Sequence, residues 1–189
     1  MRNTPEGIYS IKGSEFQAIE LPDIREVRSK DYMYYGALNL FPQSLITLYD
    51  TSAMHHTAVD AITAGIVGNN IEIIDDEYIN QKGETIGEIF EKVALDYVLF
   101  SGYALNVIWS KDRTKISEIY HLPFSNVRSG KPNEEDVVEN YMYSADWSNL
   151  RKYPYQEYKA FDPTDNKGDN ASQVFYFYGY TPGNQVYPL

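Results

Sequence analysis

The feature that most constrains the fold is a change of hydrophobic period at residue 102. The stretch "ETIGEIFEKVALDYVLFSG" has apolar residues at spacings of three and four, which predicts a long amphipathic helix ending at Gly102 as its C′ residue. Beyond it, "YALNVIW" and "ISEIYHL" alternate with a period of two around the polar linker "SKDRTK", which predicts a β-hairpin. The expected apolar face of the helix comprises Ile86, Ile89, Phe90, Val93, Ala94, Tyr97 and Val98.

Two further helices are predicted before residue 70. Pro42 opens "FPQSLITLYD" at a first-turn position that tolerates proline. The second helix runs roughly over residues 53–67, with Thr51 or Ser52 as its cap and Gly68-Asn69-Asn70 as its stop. We expect it to bury one stripe, which consists of Met54, Ala58, Ala61, Ile62, Gly65 and Ile66.

The second half of the chain is rich in strand-like segments. They lie around 137–145, 156–161 and 173–180, and a shorter one is expected at 71–74. Pro182-Gly183 fits the centre of a type II turn. Because helices come first and strands later, the predicted class is α+β, with two to three N-terminal helices packed on a mostly antiparallel, aromatic-rich sheet.

The chain divides into an irregular N-terminal segment, residues 1–40, and an α+β domain, residues 41–189. The tyrosines of the first segment, Tyr32, Tyr34 and Tyr35, are expected to pack onto later elements. The last residues, 187–189, carry no polar tail that would close a surface strand, and we expect the domain to be truncated at this end.

Net charge excludes several classes of partner. The formal charge is −11, with an estimated pI of 4.6, so tight electrostatic binding of nucleic acid and docking on anionic lipid are disfavoured. There is no cysteine, which removes disulfides, thiolate nucleophiles and cysteine-based zinc sites. We find no secretory signal and no apolar run near the roughly 20 residues of a membrane span.

Histidine is the residue type that would most directly suggest chemistry. His55 and His56 are neighbours on the second helix and point about 100° apart, whereas two metal ligands on one helix need an i,i+4 spacing. We interpret His55 as packed and His56 as exposed and loosely paired with Asp60. His121 lies beside Pro123 and has no partner in the sequence that would make it a base.

The loop "DPTDNKGDN" has the alternating oxygen ligands of a calcium loop at Asp162, Thr164 and Asn166. An EF-hand requires glycine at the sixth position and glutamate at the twelfth, and Lys167 and Gln173 stand there instead. The loop is better explained as a solvated turn, as are the acidic runs "NEED" and "DDE". The acceptor pattern at Asn170 has no use without a signal peptide.

Aromatic residues are the most unusual part of the composition: they form 15% of the chain, including 18 tyrosines. Most are expected to pack between sheet and helices. The alternative is a stacking platform for sugars or a partner protein, with Tyr176 and Tyr178 as its test positions. No nucleotide, hydrolase or zinc-protease motif is present, so we expect no enzymatic activity, no cofactor and no metal, although an acidic pair brought together by the fold stays open.

Two stretches, read together, resemble the N-terminal part of tailed-phage portal proteins. In "YGALNLFPQSLITLYDTSAMHHTAVDAITAGIVGNN" an Asn is followed by Pro, a short helix ends near Ser, and a second helix closes on Gly. In "LDYVLFSGYALNVIWSKDRTKISEIYHLPFSNVRSG" a helix ends in Gly and a strand pair leads to a Pro and an Arg. "YSADWSN" and "YGYTPGNQVYP" are also similar to phrases of this family, and the match covers about residues 36–189.

The resemblance implies a structural role and not catalysis. Portal proteins form a ring at one vertex of the phage head, typically a dodecamer, through which a separate terminase pumps double-stranded DNA. By this resemblance the chain corresponds to the wing region, which often contains a barrel-like sheet, and lacks the stem, clip and crown.

The partners that the resemblance implies are other copies of the chain, the major capsid protein, terminase and head-completion proteins, with DNA passing through without sequence-specific binding. The implied location is the host cytoplasm during assembly and then the virion. The alternative function is a carbohydrate- or protein-binding module without enzymatic activity.

Overall fold

The computed structural model describes residues 24–27, 30–68, 77–164 and 171–179. Three helices lie between residues 41 and 100 of this described part. Helix α1 spans Phe41–Thr51, with Pro42 in its first turn. Helix α2 spans Ala53–Val67 and begins at Ser52, whose side chain accepts the His55 N–H at 3.4 Å. Helix α3 spans Ile86–Phe100. The strand expected at 71–74 and the turn at Pro182-Gly183 lie outside the described residues.

Helix α3 begins with a capping box. Thr85 Oγ1 accepts from the Glu88 N–H at 3.3 Å, and the Glu88 carboxylate accepts from the Thr85 N–H at 2.9 Å, which satisfies two N-terminal donors. The helix ends at Phe100, and Gly102 takes the predicted C′ position, but the left-handed residue is the C-cap, Ser101, with φ 57°. Gly102 already belongs to the sheet, where a Cβ would meet the Phe177 carbonyl oxygen at 2.6 Å and the Phe124 ring at 2.7 Å.

The prediction of which row of α2 is buried is wrong. Met54 is 86% exposed, Ile62 55% and Ile66 41%, while the small residues of the stripe are exposed as well. Helix α2 packs on α1 and α3 through a different row at every fourth position, in which Val59 is buried and the others are half-buried: His55, Val59, Thr63 and Val67. Both rows have helical spacing, so periodicity alone could not choose between them.

In the described part of the chain the strands form one two-stranded and one six-stranded sheet. The small sheet pairs β1, Ile24–Glu26, with β2, Met33–Tyr35. The large sheet consists of β3 (Gly102–Trp109), β4 (Ile116–Leu122), β5 (Val127–Ser129), β6 (Asn140–Tyr143), β7 (Gln156–Ala160) and β8 (Ser172–Tyr178). A 3₁₀ turn, Phe124–Asn126, joins β4 to β5.

Strand order in the large sheet is β4-β3-β8-β7-β6-β5, and every pair is antiparallel except β7 with β8. The predicted hairpin is β3–β4, and the predicted α+β class with a mostly antiparallel sheet is confirmed. Among the described strands β4 and β5 are the two edges and do not pair with each other, so the barrel-like closure that the resemblance implied is not formed.

Within the described residues the core contains three clusters, two of which lie between the large sheet and the N-terminal elements. Tyr32 packs with Met142 and Trp147, and Tyr35 packs with Phe100 and Phe124. A third cluster within the large sheet contains Ala104, Val127 and Val174. The expectation that the early tyrosines pack onto later elements is therefore confirmed for Tyr32 and Tyr35. Within the described parts of the chain, no helix has the length and apolar character to cross a membrane.

Candidate functional site

A fully buried arginine joins the N-terminal segment to the sheet. Arg128, on β5, is 0% exposed. Its guanidinium donates from Nε to Asn39 Oδ1 at 2.6 Å and from Nη2 to the Asn39 carbonyl oxygen at 2.8 Å. It also donates to the Gln43 amide oxygen (3.3 Å) and to the carbonyl oxygens of Ser125 (2.8 Å) and Val127 (2.7 Å). We call this group the Arg128 clamp.

Aromatic faces complete the surroundings of the clamp. The guanidinium carbon lies 5.0 Å from the centre of the Tyr35 ring and 4.9 Å from that of Trp147. A desolvated cation–π contact contributes about 2 kcal/mol, which helps offset the cost of removing the charge from water. Burial raises the pKa of the Tyr35 phenol well above its ordinary value, against the opposing effect of the Arg128 charge.

Asn39, which accepts two hydrogen bonds from Arg128, has an unusual backbone conformation. Asn39 has φ 64°, in the left-handed region that asparagine tolerates better than most residues. Its Oδ1 also accepts the Tyr35 N–H at 3.0 Å, so one amide oxygen fixes both the turn before α1 and the arginine. Gln43, in the first helix, binds the Ser125 carbonyl through Nε2 at 2.8 Å. The clamp therefore sets the position of α1 against the 3₁₀ turn.

A second polar contact links α3 to β4. His121 Nε2 lies 2.7 Å from Asp96 Oδ2, and both side chains are nearly buried. The same carboxylate oxygen accepts the Phe124 N–H at 2.9 Å. Sequence reasoning found no partner for His121; the signal was present in α3, where Asp96 falls at helical spacing between the buried residues Ile89 and Phe100.

His121 lines an open groove of about 530 Å³. Lys82, Glu84 and Lys92 lie on one side of it. The Lys92 ammonium and the Asn80 amide bind the Glu84 carboxylate and lower its pKa. The described side chains that line the groove also include two tyrosines, Tyr120 and Tyr143. The arrangement fits a tie between α3 and β4.

The remaining histidines are placed as interpreted from the sequence. His56 Nε2 lies 3.2 Å from Asp60 Oδ2, with the two side chains 47% and 51% exposed. Its ring stacks on Tyr49 with centres 4.2 Å apart, and the Tyr49 hydroxyl donates to Asp60 at 2.7 Å. His55 is half-buried on the inward row of α2. Within the described residues no group of three or more His, Asp or Glu side chains could hold a metal ion.

The start of the acidic loop is an ordinary turn. Asp162 Oδ1 accepts from both the backbone N–H and the hydroxyl of Thr164 at 2.7 Å. The other predicted loop positions up to residue 170, including Asn166, Lys167 and Asn170, lie outside the described residues. Gln173 is buried in β8, where its Oε1 accepts from Trp109 Nε1 at 2.8 Å.

Tyr176 and Tyr178 do not form an exposed platform. Tyr176 stacks on Tyr141 with centres 4.8 Å apart and its hydroxyl is hydrogen-bonded to that of Tyr35. Tyr178 packs in the cluster of Phe100 and Phe124, and burial raises its pKa. The more exposed rings lie on the opposite face of β8, where Tyr103 contacts Phe175 and Phe177 at 6.1 and 5.3 Å.

The outward row of α2 is an exposed apolar surface. We call this row, Met54, Ala58, Ala61, Ile62, Gly65 and Ile66, the α2 face. Nothing lies within 4 Å of the position that a Gly65 Cβ would take. Exposed apolar patches of this kind mark interaction sites in soluble proteins, and small residues allow close approach of another backbone. The α2 face is the candidate interaction surface of the chain.

No family model and no curated protein matches this chain. Several chains of solved structures resemble part of it, and these include two from gene transfer agent particles. A chain of the "Virion of native gene transfer agent (GTA) particle" has 16% identity and a TM-score of 0.46 over 74% of this chain. A chain of the "Neck of empty GTA particle computed with C6 symmetry" has 15% identity and a TM-score of 0.43 over 66% of it. The present chain spans 38% and 37% of those two chains. At these scores we draw no function from either.

Proposed function

We propose that the chain is part of a structural protein of a tailed-phage or prophage head, a portal-type ring subunit through which double-stranded DNA is packaged and ejected. It acts by assembly and not by catalysis. Its location is the host cytoplasm during head assembly and the virion afterwards. Its partners are other copies of itself, the major capsid protein, terminase and head-completion proteins.

The observation that carries the proposal is the Arg128 clamp. The sequence resemblance depends on two separate stretches, one with an Asn before Pro42 and one with an Arg after Pro123. Asn39 and Arg128 belong to these two stretches and bind each other through two buried hydrogen bonds. The two stretches that carry the resemblance therefore pack together in the core, which supports an architecture shared by these two stretches.

Two surface properties also support an assembly role. The α2 face is apolar and exposed in the isolated chain, as expected of a surface that another protein covers. The net charge of −11 disfavours retention of DNA, which suits a subunit of a channel that DNA must pass without sticking.

Labelling of particles tests the proposal. Heads purified from the producing host are treated with a gold-labelled antibody against the chain and imaged by electron microscopy. We expect the label at one vertex of each head. Label distributed over the whole shell, label on the tail alone, or a chain that is absent from purified heads would each contradict a portal-type role. A labelled antibody against the major capsid protein is the control.

A second candidate is a carbohydrate- or protein-binding module, favoured by the ring row on the outer face of β3 and β8. Phe175 is 37% exposed there and stacks with Tyr103. Loss of glycan-array binding in Phe175→Ala, with binding intact in Tyr178→Phe, would support this module. Absence of glycan binding by the unmodified chain would contradict the carbohydrate-binding function.

A further inference from the structure

Two turns of the large sheet carry opposite charge. The first is the basic turn, residues 110–115 between β3 and β4, with three cationic side chains and one carboxylate. Lys111 and Lys115 are exposed. Asp112 Oδ1 accepts from Ser110 Oγ at 2.6 Å and the Thr114 N–H at 3.3 Å, and these bonds lower its pKa. That carboxylate is thus engaged in shaping the turn, whose net charge is +2.

The second is the acidic arm, residues 131–139 between β5 and β6, with four carboxylates and one ammonium, a net charge of −3. A bridge between Pro132 and Val138 continues the hairpin beyond its strands. Asn133 Oδ1 closes the tip by accepting the N–H groups of Glu135 and Val137 at 2.9 and 3.0 Å. These bonds shape the tip, and its three acidic side chains are exposed: Glu134, Glu135 and Asp136.

Strand order and strand direction place the two turns at different parts of the large sheet. The basic turn lies at the β4 edge and the acidic arm at the β5 edge, since these strands end the order β4-β3-β8-β7-β6-β5. With β7 and β8 parallel and the other pairs antiparallel, the two connections also lie at opposite ends of the strands. One chain therefore presents opposite charges on two different hairpins, at opposite ends of the strands.

We infer that the basic turn of one copy docks against the acidic arm of the next copy, in a head-to-tail contact. The inference rests on the proposed function and names the partner that the ring requires. Contacts between two different patches are heterologous, and heterologous contacts are the ones that generate rings. The two turns lie at opposite ends of the strands, and the side chains of Lys111, Lys115 and residues 134–136 are exposed to a second copy.

Electrostatics selects this partner over others. A chain of net charge −11 repels its own copies at most orientations. The basic turn is a local exception, so an approaching copy is attracted when its acidic arm faces that turn. Such complementarity sets orientation and register more than affinity. DNA phosphates are the competing partner for three cations, but the charge of the chain as a whole opposes them.

Zero-length cross-linking tests the contact with the native side chains. Equal amounts of ¹⁴N- and ¹⁵N-labelled chain are mixed at low ionic strength and treated with a carbodiimide, which joins amines to carboxylates in direct contact. We expect mixed-isotope peptides that link Lys111 or Lys115 to residues 134–136. They should decrease at least several-fold in high salt, because the Debye length falls to about 3 Å at 1 M.

Charge-reversal variants provide a second test of the contact. Lys111→Glu/Lys115→Glu and Glu134→Lys/Glu135→Lys should each lose self-association in sedimentation velocity, and a mixture of the two variants should recover it. Lys159→Glu, at another exposed position of the sheet, is the matched control and should not change association. Absence of inter-copy cross-links at these positions, unchanged association of both variants, or DNA retention that depends on Lys111 and Lys115 without inter-copy cross-links would overturn the inference.

The particle labelling tests the portal-type role, and the cross-linking tests the head-to-tail contact, so either result can be negative without the other. Label at a single vertex with no inter-copy cross-link leaves the portal-type role in place and removes only the head-to-tail contact. Cross-links in the predicted pairs with label elsewhere on the particle remove the portal-type role and keep the contact.

Discussion

Arg128 and Asn39 are 89 residues apart in the chain, yet Nε of the arginine lies 2.6 Å from Oδ1 of the asparagine in a site closed to water. The pair connects the turn before α1 to the second edge of the sheet. Because a buried charge without its acceptors is costly, this contact specifies one relative placement of the two segments.

Arg128→Lys is expected to lower the free energy of unfolding by about 3 kcal/mol. Lysine keeps a positive charge but cannot reproduce the planar fork that reaches Asn39, Gln43 and two carbonyl oxygens. Urea denaturation followed by tryptophan fluorescence measures the change, since Trp147 stacks on the guanidinium. Arg151→Lys, at an exposed position, should change stability by less than about 0.5 kcal/mol. Equal effects of the two substitutions would contradict the clamp.

Asn39 contributes through both its side chain and its backbone, and two substitutions separate these effects. Asn39→Gly removes the amide but accepts φ 64° without strain, so it should cost about 1–3 kcal/mol for the unpaired guanidinium donor. Asn39→Ala should cost roughly 1 kcal/mol more, because alanine is strained in the left-handed region. Thermal and urea unfolding of both variants measure the difference. Alanine at or above the stability of glycine would show that the turn is not held as described.

Asp96→Ala is expected to destabilise the chain by about 1–3 kcal/mol, because it leaves the Phe124 N–H and the His121 ring without their acceptor. Asp96→Asn should cost less, since an amide oxygen can still accept one of the two bonds. Glu91→Ala, at an exposed position of the same helix, is the control. Stability unaffected by Asp96→Ala would show that the tie between α3 and β4 is dispensable.

Stability is expected to fall as the pH rises from about 10 towards 12. Burial raises the pKa of Tyr141 to about 12, whereas the unfolded chain loses this proton near 10. Between these values the folded state binds more protons than the unfolded state, so the free energy of unfolding decreases with pH. In Tyr141→Phe the free energy of unfolding should fall less steeply with pH, by a difference in slope that corresponds to at most one proton. The measurement is urea unfolding at each pH, and an identical slope in both proteins would refute this assignment.

The α2 face is expected to serve assembly and not folding. Ile62→Glu should alter the free energy of unfolding by less than about 0.5 kcal/mol, because the side chain is 55% exposed. Incorporation of the full-length protein into heads should nevertheless fall severalfold. Val59→Ala, on the inward row, should lower the free energy of unfolding by about 2 kcal/mol. Its incorporation into heads should fall less than that of Ile62→Glu. Normal incorporation of the Ile62→Glu protein would indicate that this face stays exposed.

Elements with strong local signals could be predicted from the sequence. The helical spacing of "ETIGEIFEKVALDYVLFSG", the period-two segments around "SKDRTK" and the proline in the first turn of α1 each depend on neighbours within a few residues. The α+β class follows from their order. The exposed pair of His56 and Asp60 could be predicted for the same reason, because i,i+4 residues meet on any helix.

Contacts between distant residues required the fold. His121 appeared to lack a partner until α3 brought Asp96 beside it, and the interior role of Tyr176 and Tyr178 became clear only from the face of β8 on which they lie. The α2 stripe was assigned to the wrong side, because two rows of the helix had the same period and only the positions of α1 and α3 distinguish them.

The sequence by itself determined where the three helices and the β3–β4 hairpin form, since backbone propensity and side-chain period act over a few residues. Which faces are buried, where the charged turns lie and that Arg128 meets Asn39 were decided by the tertiary structure alone. The physical reason is that burial and desolvation depend on whatever surrounds a group in space, and those neighbours come from distant parts of the chain.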